Sequence, residues 1–281
     1  MTLPFKIADV FTEEPLAGNQ LAVVLGADGL DDGTMQAIAR EFNFSETTFV
    51  TAATEAGCDW RVRIFTPLAE LPMAGHPTVG TAEVLRREGL VDSKVVFQLG
   101  VGPTPVEFDG DGLAWMTQPE ARFLAGVDDR GLLAAALSLA HEEVRSDLPA
   151  QVVSCGNPFL FVPIASLDAL GRMRVDGAAW DEVTAIMRGV GVYGFAETSA
   201  GRLRSRMFAP AFGVPEDPAT GSAAGPIGAY FARYRGITSL LIEQGVEMGR
   251  RSVLHVDASG PRPRVGGKAV IVAAGELQLP V

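Results

Sequence analysis

The second half of the chain echoes the first, and a duplicated chain is confined to folds that accommodate two similar units. Four segments recur in the same order. Gly18-Asn19-Gln20-Leu21-Ala22-Val23-Val24 is echoed 138 positions later by Gly156-Asn157-Pro158-Phe159-Leu160-Phe161-Val162; in both, a turn dipeptide feeds a β-rich apolar run. Ala37-Ile38-Ala39-Arg40 is echoed 148 positions later by Ala185-Ile186-Met187-Arg188. Both lie late in stretches with helical apolar spacing, Met35, Ile38 and Ala39 in one and Trp180, Val183, Ile186 and Met187 in the other. Phe44-Ser45-Glu46-Thr47 matches Phe195-Ala196-Glu197-Thr198 at 151 positions, and Arg61-Val62-Arg63-Ile64-Phe65-Thr66-Pro67 matches Arg204-Ser205-Arg206-Met207-Phe208-Ala209-Pro210 at 143. Each match alone is short enough for coincidence; the common order is not.

Both halves then run into a glycine and small residues, Met73-Ala74-Gly75-His76-Pro77-Thr78-Val79-Gly80 and Ala219-Thr220-Gly221-Ser222-Ala223-Ala224-Gly225. Each reads as the start of a helix, and Pro77 suits a first turn because its missing N–H would be unpaired there anyway. Asp59 to Phe65 alternates as a half-buried strand does. Strands grouped around single helices imply a mixed or antiparallel sheet. The predicted fold class is α+β, with two pseudo-symmetric domains, each a β-sheet or barrel wrapped around a central helix. The expected boundaries are 1–117 plus 268–281 for the first domain and 118–267 for the second, the strand from Lys268 to Ala274 crossing back.

Composition limits what such a chain can do. With 281 residues, 47% of them hydrophobic, there is enough apolar surface for two ordinary domains and no case for disorder. A formal net charge of −11 repels phosphate backbones and anionic lipid, so neither nucleic acid nor a membrane surface is an expected partner. The longest apolar run, Leu132 to Ala140, is too short to span a bilayer, and no export signal is visible at the N-terminus. A cytoplasmic, soluble protein is expected. Cys58 and Cys155 show neither metal-knuckle nor redox-pair spacing, and three scattered histidines make no metal site.

The duplicated glycine segments are where chemistry is expected. A glycine at a helix N-terminus offers free backbone N–H groups and the positive end of the dipole to an anion, so Gly75-His76 and Gly221-Ser222 read as two halves of a site for a small carboxylate, facing each other across a cleft between the domains. Close helix packing explains the same glycines equally well. His76 is either a structural histidine or a proton donor to substrate. Asp217, before Pro218, is either a turn or cap residue or a carboxylate that polarises a substrate amine or hydroxyl. Glu46 lies in a connection or at the first residue of a strand; buried there, its pKa would rise and one carboxyl could both accept and donate a proton. Glu197, its partner in the repeat, is a candidate second acid/base group or a vestige of one.

Two motifs are decoys. Gly189-Val190-Gly191-Val192-Tyr193-Gly194 fits G-x-G-x-x-G but follows a helix and precedes extended residues, the reverse of what dinucleotide binding requires. Gly221-Ser222 lacks the G-x-S-x-G elbow of a hydrolase nucleophile, so Ser222 is better used as a hydroxyl or N–H donor.

Taken together, these segments resemble the PhzF family of phenazine biosynthesis, which shares the diaminopimelate epimerase fold. The resemblance runs through Asp9-Val10-Phe11-Thr12 with Gly18-Asn19, Ser45-Glu46-Thr47, Arg63-Ile64-Phe65-Thr66-Pro67 with Glu70-Leu71-Pro72, and Ala74-Gly75-His76-Pro77-Thr78. It continues through Arg206-Met207-Phe208-Ala209-Pro210, Glu216-Asp217-Pro218-Ala219-Thr220-Gly221-Ser222-Ala223, and Gln244-Gly245 with Met248-Gly249-Arg250. The family resemblance implies two pseudo-symmetric domains, commonly in a homodimer, and isomerisation of trans-2,3-dihydro-3-hydroxyanthranilate, in which a proton moves between ring carbons. It assigns the acid/base role to Glu46, with His76 and Asp217 as its catalytic companions and Asn19, Gly75, Gly221 and Ser222 as substrate-binding residues. Gly75 and Gly221 stand where epimerase relatives carry two catalytic cysteines, which disfavours a two-thiol mechanism here. One carboxyl moving one proton needs no cofactor and no metal. The expectation is a cofactor-independent isomerase of a small amino- or hydroxy-carboxylic acid. The alternatives are a non-catalytic small-carboxylate binding protein and an amino-acid epimerase or racemase working through Glu46 and Glu197.

Overall fold

The computed structural model describes residues 1–175, 177–186 and 190–279. The chain divides into two compact units, Met1–Thr117 with Arg264–Val281 and Gln118–Pro263. The return to the first unit therefore begins at Arg264, four residues before the expected Lys268, because a short strand there already pairs with the first unit's sheet. Met187 and Arg188 of the second repeat segment, and Gly189 of the G-x-G-x-x-G decoy, lie outside the described residues.

The first unit runs β1 (Thr2–Val10), β2 (Asn19–Val24), α1 (Asp32–Phe42), β3 (Glu46–Ala52), β4 (Trp60–Phe65), β5 (Glu70–Leu71), α2 (Gly75–Arg87), β6 (Lys94–Leu99), β7 (Gly102–Phe108) and β8 (Ala114–Thr117). The second runs β9 (Arg122–Gly126), α3 (Arg130–Ala136), β10 (Gln151–Ser154), β11 (Pro158–Pro163), α4 (Leu167–Arg172), α5 (Gly177–Ile186), β12 (Gly191–Ser199), β13 (Arg202–Ala209), β14 (Val214–Asp217), α6 (Gly221–Arg235), β15 (Ser239–Gln244) and β16 (Ser252–Asp257). The chain then returns to the first unit as β17 (Arg264–Gly267) and β18 (Ala269–Gln278).

The two units share one connectivity. β2 and β3 are parallel across α1, as β11 and β12 are parallel across α4 and α5. Hairpins β3–β4 and β12–β13 follow, and α2 and α6 then carry the chain to the parallel pairs β4–β6 and β13–β15. In the first unit β17 pairs with β8 and β18 with β1, the two being separated only by Lys268. That interrupted strand ties the sheet's two ends together and closes it around α2, which touches β1, β2, β3, β7, β8, β17 and β18.

The core explains why these elements form. α1 is amphipathic, capped by Asp31, whose side chain accepts from the Thr34 N–H, and ended by Asn43 in the left-handed region; it lays Met35, Ile38 and Ala39 on the outer face of the sheet beside Val24, Phe49 and Phe65. α2 has no polar face, and every residue from Gly75 to Leu85 is buried. With helices on both faces, β2 reads as a continuous apolar run from Leu21 to Val24 and β3 is buried without alternation from Thr47 to Thr51. A helix enclosed this tightly needs small residues: a Cβ at Gly80 would fall 2.5 Å from Val10 Cγ2 and 2.7 Å from Leu21 Cδ2. In the second unit α3, α4 and α5 cover one face, with Leu133, Leu170, Trp180 and Val183 in a single cluster, while α6 contacts β10, β11, β15 and β16.

One device is present in both units. The Arg63 guanidinium donates to both Glu70 oxygens over 2.7 and 2.6 Å and sits 5.0 Å from the Phe65 ring. Arg206 does the same to Glu216, at 2.8 and 2.9 Å, and lies 4.9 Å from the Phe208 ring. Each clasp holds the short strand, β5 or β14, that leads into the buried helix.

The sheet register also corrects one equivalence drawn from the sequence. Glu46 opposes Leu21 and Thr47 opposes Phe65, while Gly191 opposes Phe159 and Val192 opposes Phe208. Since Leu21 corresponds to Phe159 and Phe65 to Phe208 in the repeat, the counterpart of Glu46 is Gly191 and not Glu197. The similarity of Phe44-Ser45-Glu46-Thr47 to Phe195-Ala196-Glu197-Thr198 is fortuitous, because Glu197 stands six positions after Gly191 within β12 whereas Glu46 is the first residue of β3. Among the described residues no helix is long and apolar enough to cross a membrane.

Candidate active site

In the first unit the parallel pairing of β2 and β3 brings their starting ends together, and the N-terminus of α2 meets them. Asn19 is the first residue of β2, Glu46 the first of β3 and His76 the second of α2. Asn19 and His76 are buried, and Glu46 retains 16% of its side-chain exposure although its Oε2 atom is wholly enclosed. Ser45 Oγ donates to Asn19 Oδ1 over 3.2 Å, Asn19 Nδ2 lies 3.2 Å from His76 Nδ1, and His76 Nε2 lies 3.5 Å from Glu46 Oε2. The Ncap residue, Ala74, has no side chain that could cap the helix, and the Thr78 hydroxyl donates to its carbonyl.

Burial raises the Glu46 pKa to about 7, against a weaker pull downward from a hydrogen bond with Ser45. A carboxyl in that range is about half ionised at neutral pH, so it can take a proton and give it back within one turnover. That is the property an acid/base glutamate requires, and here it comes from enclosure at the head of a strand.

In the second unit Asp217 is the last residue of β14 and is buried. It is not the cap of α6. The Ncap position belongs to Thr220, whose hydroxyl, instead of capping, donates to Asp217 Oδ2 over 2.6 Å. Gln244 organises the surroundings: its Nε2 donates to the Asp217 carbonyl and to Thr220 Oγ1 over 2.8 and 2.9 Å, and its Oε1 accepts from the Thr220 N–H and the Tyr193 hydroxyl, both at 3.2 Å. Tyr193 in turn shares a hydrogen bond with Ser205 at 2.7 Å. Gly221 and Ser222 open α6 as Gly75 and His76 open α2, and the Gly221 carbonyl accepts from Gln118 Nε2 over 2.8 Å. The structure thus gathers Asn19, Glu46, Gly75 and His76 in one unit and Asp217, Gly221 and Ser222 in the other.

Sequence reasoning did not single out Ser45, Thr220, Gln244 or Tyr193. Ser45, Thr220 and Gln244 each stand inside or beside a quoted motif, the signal that would have marked them; Tyr193 lies in the rejected decoy and has none. Glu197 is not poised for proton transfer, because Arg145 Nη1 lies 2.9 Å and Arg235 Nη2 3.6 Å from its Oε1. Burial pushes the Cys155 thiol up to about 12, so it carries no reactive thiolate, and Cys58 is raised as well, chiefly by desolvation. Among the described residues no three His, Cys, Asp or Glu side chains stand close enough to hold a metal ion.

The fold is thus two duplicated α+β units, with a buried carboxyl beside a histidine at the head of an enclosed helix. Residues 8–275 match the phenazine biosynthesis-like protein family, PhzC-PhzF, and the chain belongs to that family. Trans-2,3-dihydro-3-hydroxyanthranilate isomerase of Pseudomonas aeruginosa is 39% identical over 273 residues, covering 95% of this chain and 94% of the relative. An uncharacterised isomerase of Mesorhizobium japonicum is also 39% identical, over 305 residues that cover 98% and 99% of the two chains. The crystal structure of a PhzF-family protein from Bacillus anthracis superposes with a TM-score of 0.89 at 29% identity, over 99% of this chain and 100% of that one. A hydroxyproline epimerase from Agrobacterium vitis shares the fold, with a TM-score of 0.65 at 11% identity and 98% and 92% coverage. The protein is an isomerase of the PhzF family.

Proposed function

We propose that the protein is a cofactor-independent isomerase that moves one proton within a small amino- or hydroxy-carboxylic acid, trans-2,3-dihydro-3-hydroxyanthranilate or a close analogue. The observation that carries this reading is the Glu46 carboxyl, enclosed by the fold, held near pH 7 and set 3.5 Å from His76. Glu46 as carboxylate removes a carbon-bound proton, the electron pair of the broken C–H bond enters the substrate's conjugated system, and the protonated carboxyl returns the proton to another carbon. His76 holds and polarises the substrate near Glu46, with Asn19 and Gly75 contributing to binding, and Asp217, Gly221 and Ser222 are the second unit's candidate substrate contacts. The relative named for trans-2,3-dihydro-3-hydroxyanthranilate supports that substrate class, while the equally similar isomerase with no substrate in its name keeps the class wider than one compound. Residence in the cytoplasm and assembly as a homodimer belong to the same proposal; size-exclusion chromatography with light scattering tests the assembly.

Turnover of trans-2,3-dihydro-3-hydroxyanthranilate by the wild type and by Glu46→Gln, run in deuterated water, is the test. The amide keeps the shape but can neither take up nor release a proton as an acid/base group, so turnover falls by roughly 10²–10⁴ while ligand affinity stays nearly intact. Undiminished turnover in Glu46→Gln would remove Glu46 from the reaction. A wild type that leaves the compound untouched would turn the substrate search to other small carboxylates.

A further inference from the structure

The polar chain that ends on Glu46 starts at a hydroxyl, and its direction decides where the histidine proton sits. Ser45 Oγ donates to Asn19 Oδ1, which fixes the amide so that Nδ2 faces His76 Nδ1 at 3.2 Å. An amide nitrogen only donates, so Nδ1 is the acceptor, and a neutral imidazole that accepts at Nδ1 carries its proton on Nε2. Nε2 is the atom 3.5 Å from Glu46 Oε2. The ring belongs to the second residue of α2, where the helix dipole disfavours an imidazolium. We propose that Ser45 and Asn19 are positioning residues that hold His76 neutral, in the Nε2–H tautomer, with that N–H turned toward Glu46.

The lock matters for charge. With the proton on Nε2, the ring can donate to the carboxylate form of Glu46 once the 3.5 Å gap closes slightly, supporting the form that takes the substrate's proton. The opposite tautomer would present a lone pair to the same oxygen and favour the protonated carboxyl, which cannot accept. In the balance of the reaction the Nε2 hydrogen never leaves the ring: the transferred proton goes from carbon to Glu46 and from Glu46 to carbon, and nothing is oxidised or reduced. This inference rests on the acid/base reading of Glu46, so its test has an arm that needs no substrate.

Two-bond ¹H–¹⁵N correlation spectra of the protein with labelled histidines, His76 being assigned by its loss in His76→Gln, report the tautomer directly. The expected result at pH 7 is a bare Nδ1 and a protonated Nε2. In Asn19→Asp the new carboxylate can only accept, so the ring proton moves to Nδ1, and kcat falls roughly 10²-fold. Ser45→Ala releases the amide and gives a mixture of tautomers with a smaller fall in kcat; being a truncation at a half-buried position, it serves if Asn19→Asp fails to fold. An Nδ1–H tautomer or an imidazolium in the wild type would overturn the proposal even with the isomerase activity confirmed. Wild-type tautomer and wild-type kcat in Asn19→Asp would overturn it too. Should the tested compound not be turned over, the ring spectra of the wild type and Asn19→Asp decide the matter alone.

Discussion

Glu46 keeps its proton at pH values where an exposed glutamate has lost it, and this has a consequence for stability as well as for rate. Between the ordinary value of 4.5 and about 7 the folded chain retains a proton that the unfolded chain releases, so stability falls as pH rises through that window and the loss is complete above it. The shift corresponds to about 3 kcal/mol. Glu46→Gln should therefore melt higher than the wild type at pH 8 and at the same temperature near pH 4.5; a difference independent of pH would mean the carboxyl is not held neutral by the fold. On the proposed mechanism the same ionisation sets the rate: because the carboxylate form would accept the proton, kcat/KM should rise through pH 7 and level off above it. The residue type and the strand-head position of Glu46 were legible in the sequence; its enclosure was not, because the groups that enclose it come from β2 and α2, far away along the chain.

At the scale of elements, the two buried helices carry the tightest constraints. Gly80 has no room for a side chain against Val10 and Leu21, so Gly80→Ala should destabilise by about 1–3 kcal/mol in a denaturant titration, although alanine is the better helix former. Gly221 is constrained by its place at the opening of α6. Gly221→Val should weaken binding of a small carboxylate in a calorimetric titration while the fold persists, and unchanged affinity would remove the α6 N-terminus from the binding site. The glycine segments marked both helix starts in the sequence. Which strands would enclose α2 was hidden, since that depends on pairings between β1 and β18 and between β8 and β17 that no local pattern encodes.

At the scale of the whole molecule, duplication has preserved a mechanical device more faithfully than a catalytic one. The Arg–Glu clasp recurs in both units, whereas the position of Glu46 holds Gly191 in the second. The clasps differ in depth. The Arg206 side chain is 4% exposed and Arg63 is 12% exposed with a second carboxylate, Asp32, at 2.7 Å. Glu216→Gln should therefore cost about 2–4 kcal/mol in chemical unfolding, and Glu70→Gln no more than about 1 kcal/mol, because an unpaired charge is tolerated where other partners and water reach it. The ends of the chain meet in the first unit, so a chain truncated after Pro263 loses both β17 and β18 and exposes the edges of β1 and β8. Limited proteolysis of that truncated chain should degrade residues 1–117 first and spare 118–263.

The duplicated segments, the glycine-led helices and the motifs around Glu46, His76 and Asp217 were determined by the sequence alone, because each is a local pattern of residue types at fixed spacing. The partner of Glu46 in the repeat, the Ser45–Asn19–His76 chain and the Gln244 hub under Asp217 were decided only by the tertiary structure. The reason is register: a β-sheet brings residues together by counting along hydrogen-bonded strands, so the pairing that places Gly191 rather than Glu197 opposite Phe159 is visible once β11 and β12 are paired and invisible before. Burial has the same origin, since the pKa of Glu46 is set by what three separate elements place around it.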